Sequence, residues 1–216
     1  VSLLAFGLVV VVHPDLQQQV APPSGQSQGS GQAFQALETL EVKGRAPKTG
    51  YERSQFGDGW ATKNGCDTRN SILNRDLTDV ILNDKCQVVS GTLADPYTGT
   101  TIAFKRGATT SDDVQIDHVV ALSDAWQKGA QLLDTTTRVE LANDALELIA
   151  VEGKANQQKS DGDAATWLPS NKAFRCQYVA RQIAVKQKYK LWVTSAEKEA
   201  IIRVLATCPD QPLPLP

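Results

Sequence analysis

With 216 residues, 41% of them hydrophobic and 21% charged, the chain is long enough for one well-buried core and too balanced for a disordered or fibrous protein. A net charge of −2 excludes wholesale cationic binding of nucleic acid, but the charge is unevenly spread. Residues 111–150 carry eight acids against Lys128 and Arg138, and residues 151–190 carry eight bases against Glu152, Asp161 and Asp163. That asymmetry reads either as solvated helix faces or as a basic stretch that meets phosphate.

The opening run VSLLAFGLVVVV contains no charge. It is shorter than the about 20 apolar residues of a membrane span and fits the apolar region of a signal peptide. Residues 1–14 are therefore expected to be a signal peptide, with an N-terminal anchor as the alternative. Either one places the rest outside the cytosol, secreted or tethered to the cell surface, with no stable span in the mature form. Residues 15–38, rich in Gln, Gly, Ser and Pro, are expected to be a disordered linker. Residues 39–210 remain as the folded domain, expected to be a monomer.

NSILNRDLTDVIL, residues 70–82, places Ile72, Leu73, Leu77, Val80 and Ile81 at helical spacing. CQVVSGTL and TTIAFKR flank a Pro96–Gly99 turn and predict a hairpin. VQIDHVVAL predicts another strand, and SDAWQKGAQLL a helix with Ser123 as N-cap. TTTRVELAND continues as a helix ending near Asn143. LELIAV is a short strand broken by Gly153, and KANQQKSDGDAATW a helix that dissolves at Gly162. In the tail, Phe174, Tyr178, Ile183 and Val185 share a broad helical face, and Thr194 with Glu197 forms a capping box for the last helix. Trp126, Trp167 and Trp192 read as core.

The four cysteines form no Cys-x-x-Cys pair, and no histidine stands at zinc-ligand spacing. Behind a secretion-type leader an even count reads as two disulfides, with four buried free thiols as the alternative. Of three pairings, Cys66–Cys86 and Cys176–Cys208 are favoured because each closes a local loop, worth roughly 3 kcal/mol in the chain-entropy view. The second would staple the last two helices.

Apart from His13 in the leader, His118 is the chain's one histidine, and it follows Asp117 at the end of a strand. Asn143 lies before the next strand; Asn156 and Lys159 lie on the helix after it. A strand–loop–strand–helix unit can bring the strand end to the helix face. Asp117 and Asn156 would then offer two hard oxygen ligands suited to Mg²⁺. His118 would point to the other side, near a cation without binding it, and could serve as a base near neutral pH.

The stretches GCDTRNSILNRDL, IDHVVALSDAWQKGA and LANDALELIAVEGKANQQKSD resemble the ββα-metal signature of HNH nucleases. The likeness is strongest to the HNH domain at the C-terminus of GmrSD-type restriction enzymes, and extends to small secreted HNH-family proteins of bacteria. It runs from about Tyr51 to Cys208. The resemblance implies an α+β domain with a ββα-metal core, an N-terminal helix and hairpin, and C-terminal helices. It implies an endonuclease that uses one divalent ion, Mg²⁺ or Mn²⁺, to hydrolyse DNA and possibly RNA, with little sequence specificity. By the same resemblance His118 is the general base, Asp117 and Asn156 the metal ligands, Asn143 the residue that holds the loop, and Lys159 a phosphate contact. Asn156 stands where many relatives carry histidine, which favours Mg²⁺ or Mn²⁺ over Zn²⁺. Arg69, Arg175 and Arg181 are candidate contacts to the nucleic-acid backbone, with surface ion pairs as the alternative. No P-loop is present, so no ATP or GTP is expected. The rival reading is a catalytically silent cell-envelope binding module on the same fold.

Overall fold

The computed structural model describes Val1 and residues 31–214. The expected leader and most of the expected linker lie outside the described residues. The linker boundary is set too late: helix α1, Gln32–Thr39, falls within it. Ala33, Ala36 and Leu37 of that helix are buried, and α1 packs on the C-terminal helices. Small alanines and one leucine suffice there because the helix has a ready-made apolar surface to cover.

A short 3-10 helix, Arg53–Phe56, is followed by a two-stranded ribbon, β1 (Thr62–Lys63) and β2 (Cys66–Asp67). Helix α2, Thr68–Asp76, starts on Asp67, whose carboxylate caps the Asn70 N–H. It is shorter than its periodicity predicts. At Leu77 the chain leaves the helix, and Thr78–Leu82 forms strand β3. Ile81 and Leu82 are exposed there, so their helical spacing did not reflect a buried face. The predicted hairpin is strands β4 (Val88–Ala94) and β5 (Thr101–Lys105); with β3 it makes a three-stranded antiparallel sheet, order β3–β4–β5.

A second antiparallel pair follows: β6 (Val114–His118) and β7 (Leu148–Glu152). Between them lie α3 (Leu122–Gln127) and α4 (Thr135–Asn143). The helix predicted over SDAWQKGAQLL stops at α3 because Gly129 turns the backbone to φ 122°, and a 3-10 turn, Ala130–Leu132, completes it. Ser123 does not cap α3; Ala121 holds that position without a side-chain bond, and the Ser123 hydroxyl donates to Asp161. As expected, the strand stops before Gly153, which opens helix α5, Gly153–Lys159. A Cβ there would sit 2.0 Å from the Asp112 carbonyl, so only glycine lets α5 start this close to the 3-10 turn, Ser111–Asp113, that leads into β6.

Helices α6 (Arg175–Lys188) and α7 (Ser195–Leu205) close the chain, the latter with the predicted Thr194–Glu197 capping box. Disulfides join Cys66 to Cys86 and Cys176 to Cys208. No helix among the described residues is long and apolar enough to cross a membrane.

The β6–β7 pair separates two apolar clusters. On one side Val114, Ile116, Leu148 and Ala150 pack with Ile72, Leu73, Val88, Leu93 and Phe104. On the other, Ile149 and Val151 join Ala155 and the helices. Burial on both faces explains why LELIAV reads as a continuous apolar run rather than an alternation. Truncating Leu148, fully buried between these layers, costs about 2–5 kcal/mol.

The charge asymmetry is spent inside the fold. Lys128 and Lys186 are fully buried and bind Asp124, Asp163 and Glu197, with Arg45 closing the cluster at the surface. Lys188 pairs with Asp144, and Lys159 with Asp117. Three bases of the basic stretch, Lys159, Lys186 and Lys188, thus pair with Asp117, Asp124 and Asp144 of the acidic one.

Candidate active site

Antiparallel register sets the geometry. Asp117 lies opposite Ile149, and His118 opposite Leu148. Strand neighbours face opposite sides. Asp117 therefore shares with Gln115 the face covered by α5, and His118 shares the face of Ile116, at the end nearest Trp60.

Asp117 is buried. Its carboxylate accepts from the Tyr97 hydroxyl on one oxygen and from Lys159 Nζ on the other, at 2.9 Å. Burial pushes the Asp117 carboxyl up, and Lys159 and Tyr97 pull it back only in part. Asn156 and Lys159 are three residues apart, hence neighbours on one face of α5. The Asn156 amide donates to Gln115 Oε1 at 2.9 Å, which leaves its own oxygen uncommitted by that bond. Gln115, Asp117 and Asn156, with Arg53 and Arg69, line one hollow of about 480 Å³. The two expected ligands thus share a hollow. Among the described residues, no group of three or more His, Cys, Asp or Glu side chains could hold a metal.

His118 lines an adjoining hollow of about 350 Å³, bordered by Arg53, Gly57, Trp60, Leu122 and Ala142. Arg53, Trp60 and Leu122 border both. The imidazole stacks on Trp60, rings 5.7 Å apart and 6° from parallel. Its Nε2 lies 3.0 Å from the Ala142 carbonyl. A carbonyl only accepts, so Nε2 carries the proton and Nδ1 keeps a lone pair. Burial pushes the imidazole down to about 3, against the opposing effect of the Ala142 carbonyl, so His118 is neutral at pH 7.

Asn143 ends α4 and works from both ends of its amide. Its oxygen accepts from the Ala61 N–H at 2.8 Å, and its nitrogen donates to the Val139 carbonyl at 3.0 Å. It thereby ties the Trp60 loop to the helix end that supplies the Ala142 carbonyl. Both neighbours of His118 depend on that tie.

Three expectations change. Lys159 does not face phosphate: it is 1% exposed and donates to Asp117 and to the His118 carbonyl. Arg181 is bound to the carbonyls of Ala145 and Leu146, and Arg175 to that of Pro169; neither lines the two hollows. Arg69 lines the Asp117 hollow while donating to the carbonyls of Ser111 and Val114. Sequence reasoning passed over Gln115, Tyr97, Trp60 and Arg53. Gln115 was detectable, standing two residues before Asp117 on the same strand face. Tyr97 and Trp60 reach the site from distant loops and carry no local signal.

The model of the GmrSD restriction endonuclease C-terminal domain matches residues 67–204. An uncharacterized secreted protein of Arthroderma benhamiae is 40% identical over 190 residues, 87% of this chain and 89% of that protein. No solved structure matches the chain. The matched span contains Asp117, His118, Asn143 and Asn156, and on that evidence the chain belongs to the family of the GmrSD restriction endonuclease C-terminal domain.

Proposed function

We propose that the protein is a secreted, divalent-metal-dependent endonuclease with a ββα-metal core, hydrolysing phosphodiester bonds of DNA with little sequence specificity. The observation that carries this reading is the pair of adjoining hollows, one lined by Asp117 and Asn156, the other by a neutral His118. The family supports nuclease chemistry on nucleic acid. The secreted relative and the two disulfides support an oxidising compartment.

One carboxylate and one amide oxygen are hard donors and fit Mg²⁺ or Mn²⁺, with water filling the remaining positions. Asp117 and Asn156 would hold the ion. When bound, such an ion polarises the phosphate and stabilises charge on the departing oxygen. His118 is held by Ala142 and Trp60 so that Nδ1 is the proton acceptor. It takes a proton from water as the water oxygen bonds to phosphorus. The bond from phosphorus to the 3′ oxygen breaks, and that oxygen takes a proton from solvent. A 5′-phosphate and a 3′-hydroxyl result. His118 starts from a depressed pKa, and the phosphodiester's negative charge beside it favours the imidazolium that forms.

The test is nicking of supercoiled plasmid across a panel of metals, with an EDTA control, alongside calorimetric titration with Mn²⁺. Nicking is expected with Mg²⁺ or Mn²⁺ only, and Asn156→Ala is expected to weaken Mn²⁺ binding by about 10-fold or more. Nicking that persists in EDTA, or the absence of nicking with every metal of the panel, sinks the reading.

A further inference from the structure

The two hollows meet at Arg53, Trp60 and Leu122, and of these Arg53 alone is charged. Its side chain is exposed and has no hydrogen-bond or ion-pair partner among the described residues. Its backbone, by contrast, is firmly set. Phe56, at the end of the same 3-10 helix, is 2% exposed and packs against Tyr51 and Trp126. Arg138 donates to the Gln55 carbonyl at 2.9 Å and so fixes the helix to α4. The cation is therefore an uncommitted head on a fixed mount.

The neighbouring cations are committed. Lys159 is buried against Asp117, and Arg69 borders only the Asp117 hollow and donates to two carbonyls. A phosphodiester placed between the His118 lone pair and the Asp117–Asn156 hollow must present its non-bridging oxygens near the boundary of the two. A planar guanidinium matches two such oxygens with paired N–H donors, and it stabilises the charge that builds on them as water attacks.

We propose that Arg53 is a catalytic residue that binds the non-bridging oxygens of the phosphodiester being cleaved. This rests on the nuclease reading above and adds the group that holds the reacting phosphate.

The experiment compares wild type, Arg53→Ala and Arg53→Lys on two substrates with Mn²⁺: supercoiled plasmid and the small diester bis(4-nitrophenyl) phosphate. The small substrate has no flanking backbone, so it reports only contacts to the reacting phosphate. Arg53→Ala is expected to lower kcat on both by about 10²-fold or more. Arg53→Lys is expected to recover part of the loss, with unchanged melting temperature and Mn²⁺ affinity. A loss confined to plasmid, or no loss on either substrate, overturns the proposal. A wild type that cleaves neither substrate overturns the nuclease reading instead. The Arg53 contact is then judged from binding of a fluorescein-labelled duplex as salt is varied. It stands if Arg53→Ala lowers the salt slope by about 1, and falls if the slope is unchanged.

Discussion

Lys159 Nζ sits between a carboxylate oxygen of Asp117, at 2.9 Å, and the backbone carbonyl of His118, at 2.7 Å. One ammonium thereby bolts α5 to the end of β6 and fixes the orientation of both residues that precede and follow the same peptide bond. In the proposed mechanism it positions Asp117, which the Tyr97 hydroxyl holds from the other side.

Removing that ammonium leaves a buried carboxylate without its counter-charge. Lys159→Met is expected to destabilise the fold by about 3–5 kcal/mol. Thermal melting would show this as a fall of roughly 6–20 °C. A melting temperature equal to wild type would mean that Asp117 is not charged against Lys159 in the native state.

Asn143→Ala removes the acceptor that holds the Ala61 N–H and so loosens Trp60 against His118. The stability cost is about 1 kcal/mol, but misplacing the imidazole is expected to slow nicking by about 10²-fold. Asn143→Asp keeps the acceptor and should recover most of the rate. Parallel rate and melting measurements on both variants check this; equal rates for the alanine variant and wild type would separate the loop from the chemistry.

His118 and Asp163 cost stability in acid, and the buried carboxyls of Glu147 and Asp117, pushed up by burial, act in the opposite direction. Burial depresses His118 to about 3, below its unfolded value of about 6.5, so the unfolded chain binds the extra proton first. The stability linked to His118 is complete above about 6.5 and drains as the pH falls toward about 3. Asp163 is pushed up by burial, but Lys128 and Arg45 more than offset this and hold it at about 2. Its contribution is present above about 4 and is lost as the pH falls to about 2. Urea unfolding at pH 7 and pH 4 should show that His118→Gln loses less stability on acidification than wild type, while Asp163→Asn loses as much as wild type.

The Cys176–Cys208 bridge joins the start of α6 to the chain just beyond α7, and neither cysteine borders the two hollows. Replacing both by serine is expected to cost about 3 kcal/mol and to leave the nicking rate at 25 °C unchanged. Denaturant titration with a nicking assay on the same preparation tests both halves of that statement.

Elements whose local pattern and tertiary fate agree were legible beforehand. The Pro96–Gly99 turn, the capping box at Thr194 and the two local disulfides are of this kind. Asp117, His118 and Asn156 are picked out by the resemblance to the HNH signature, and the strand and helix patterns add only that a strand end and a helix face can meet there. The failures share a physical cause. Leu77 to Leu82 has helical spacing, but pairing with β4 wins over propensity. Gly153 marks the end of β7 as expected, but its closeness to Asp112 is a tertiary fact. Sequence does not say which ions pair inside, so the burial of Lys128, Lys159 and Lys186 against carboxylates is seen only in the fold. Arg53 and Trp60 reach His118 from more than fifty residues upstream, and only the folded chain reveals them.

The most direct measurement is the single-turnover nicking rate of plasmid by wild type and His118→Ala, in Mn²⁺ at pH 7, on preparations shown by melting to be folded. If His118 is the base, the variant is slower by about 10²- to 10⁴-fold. A His118→Ala protein that nicks at the wild-type rate would contradict the assignment of proton transfer to this imidazole.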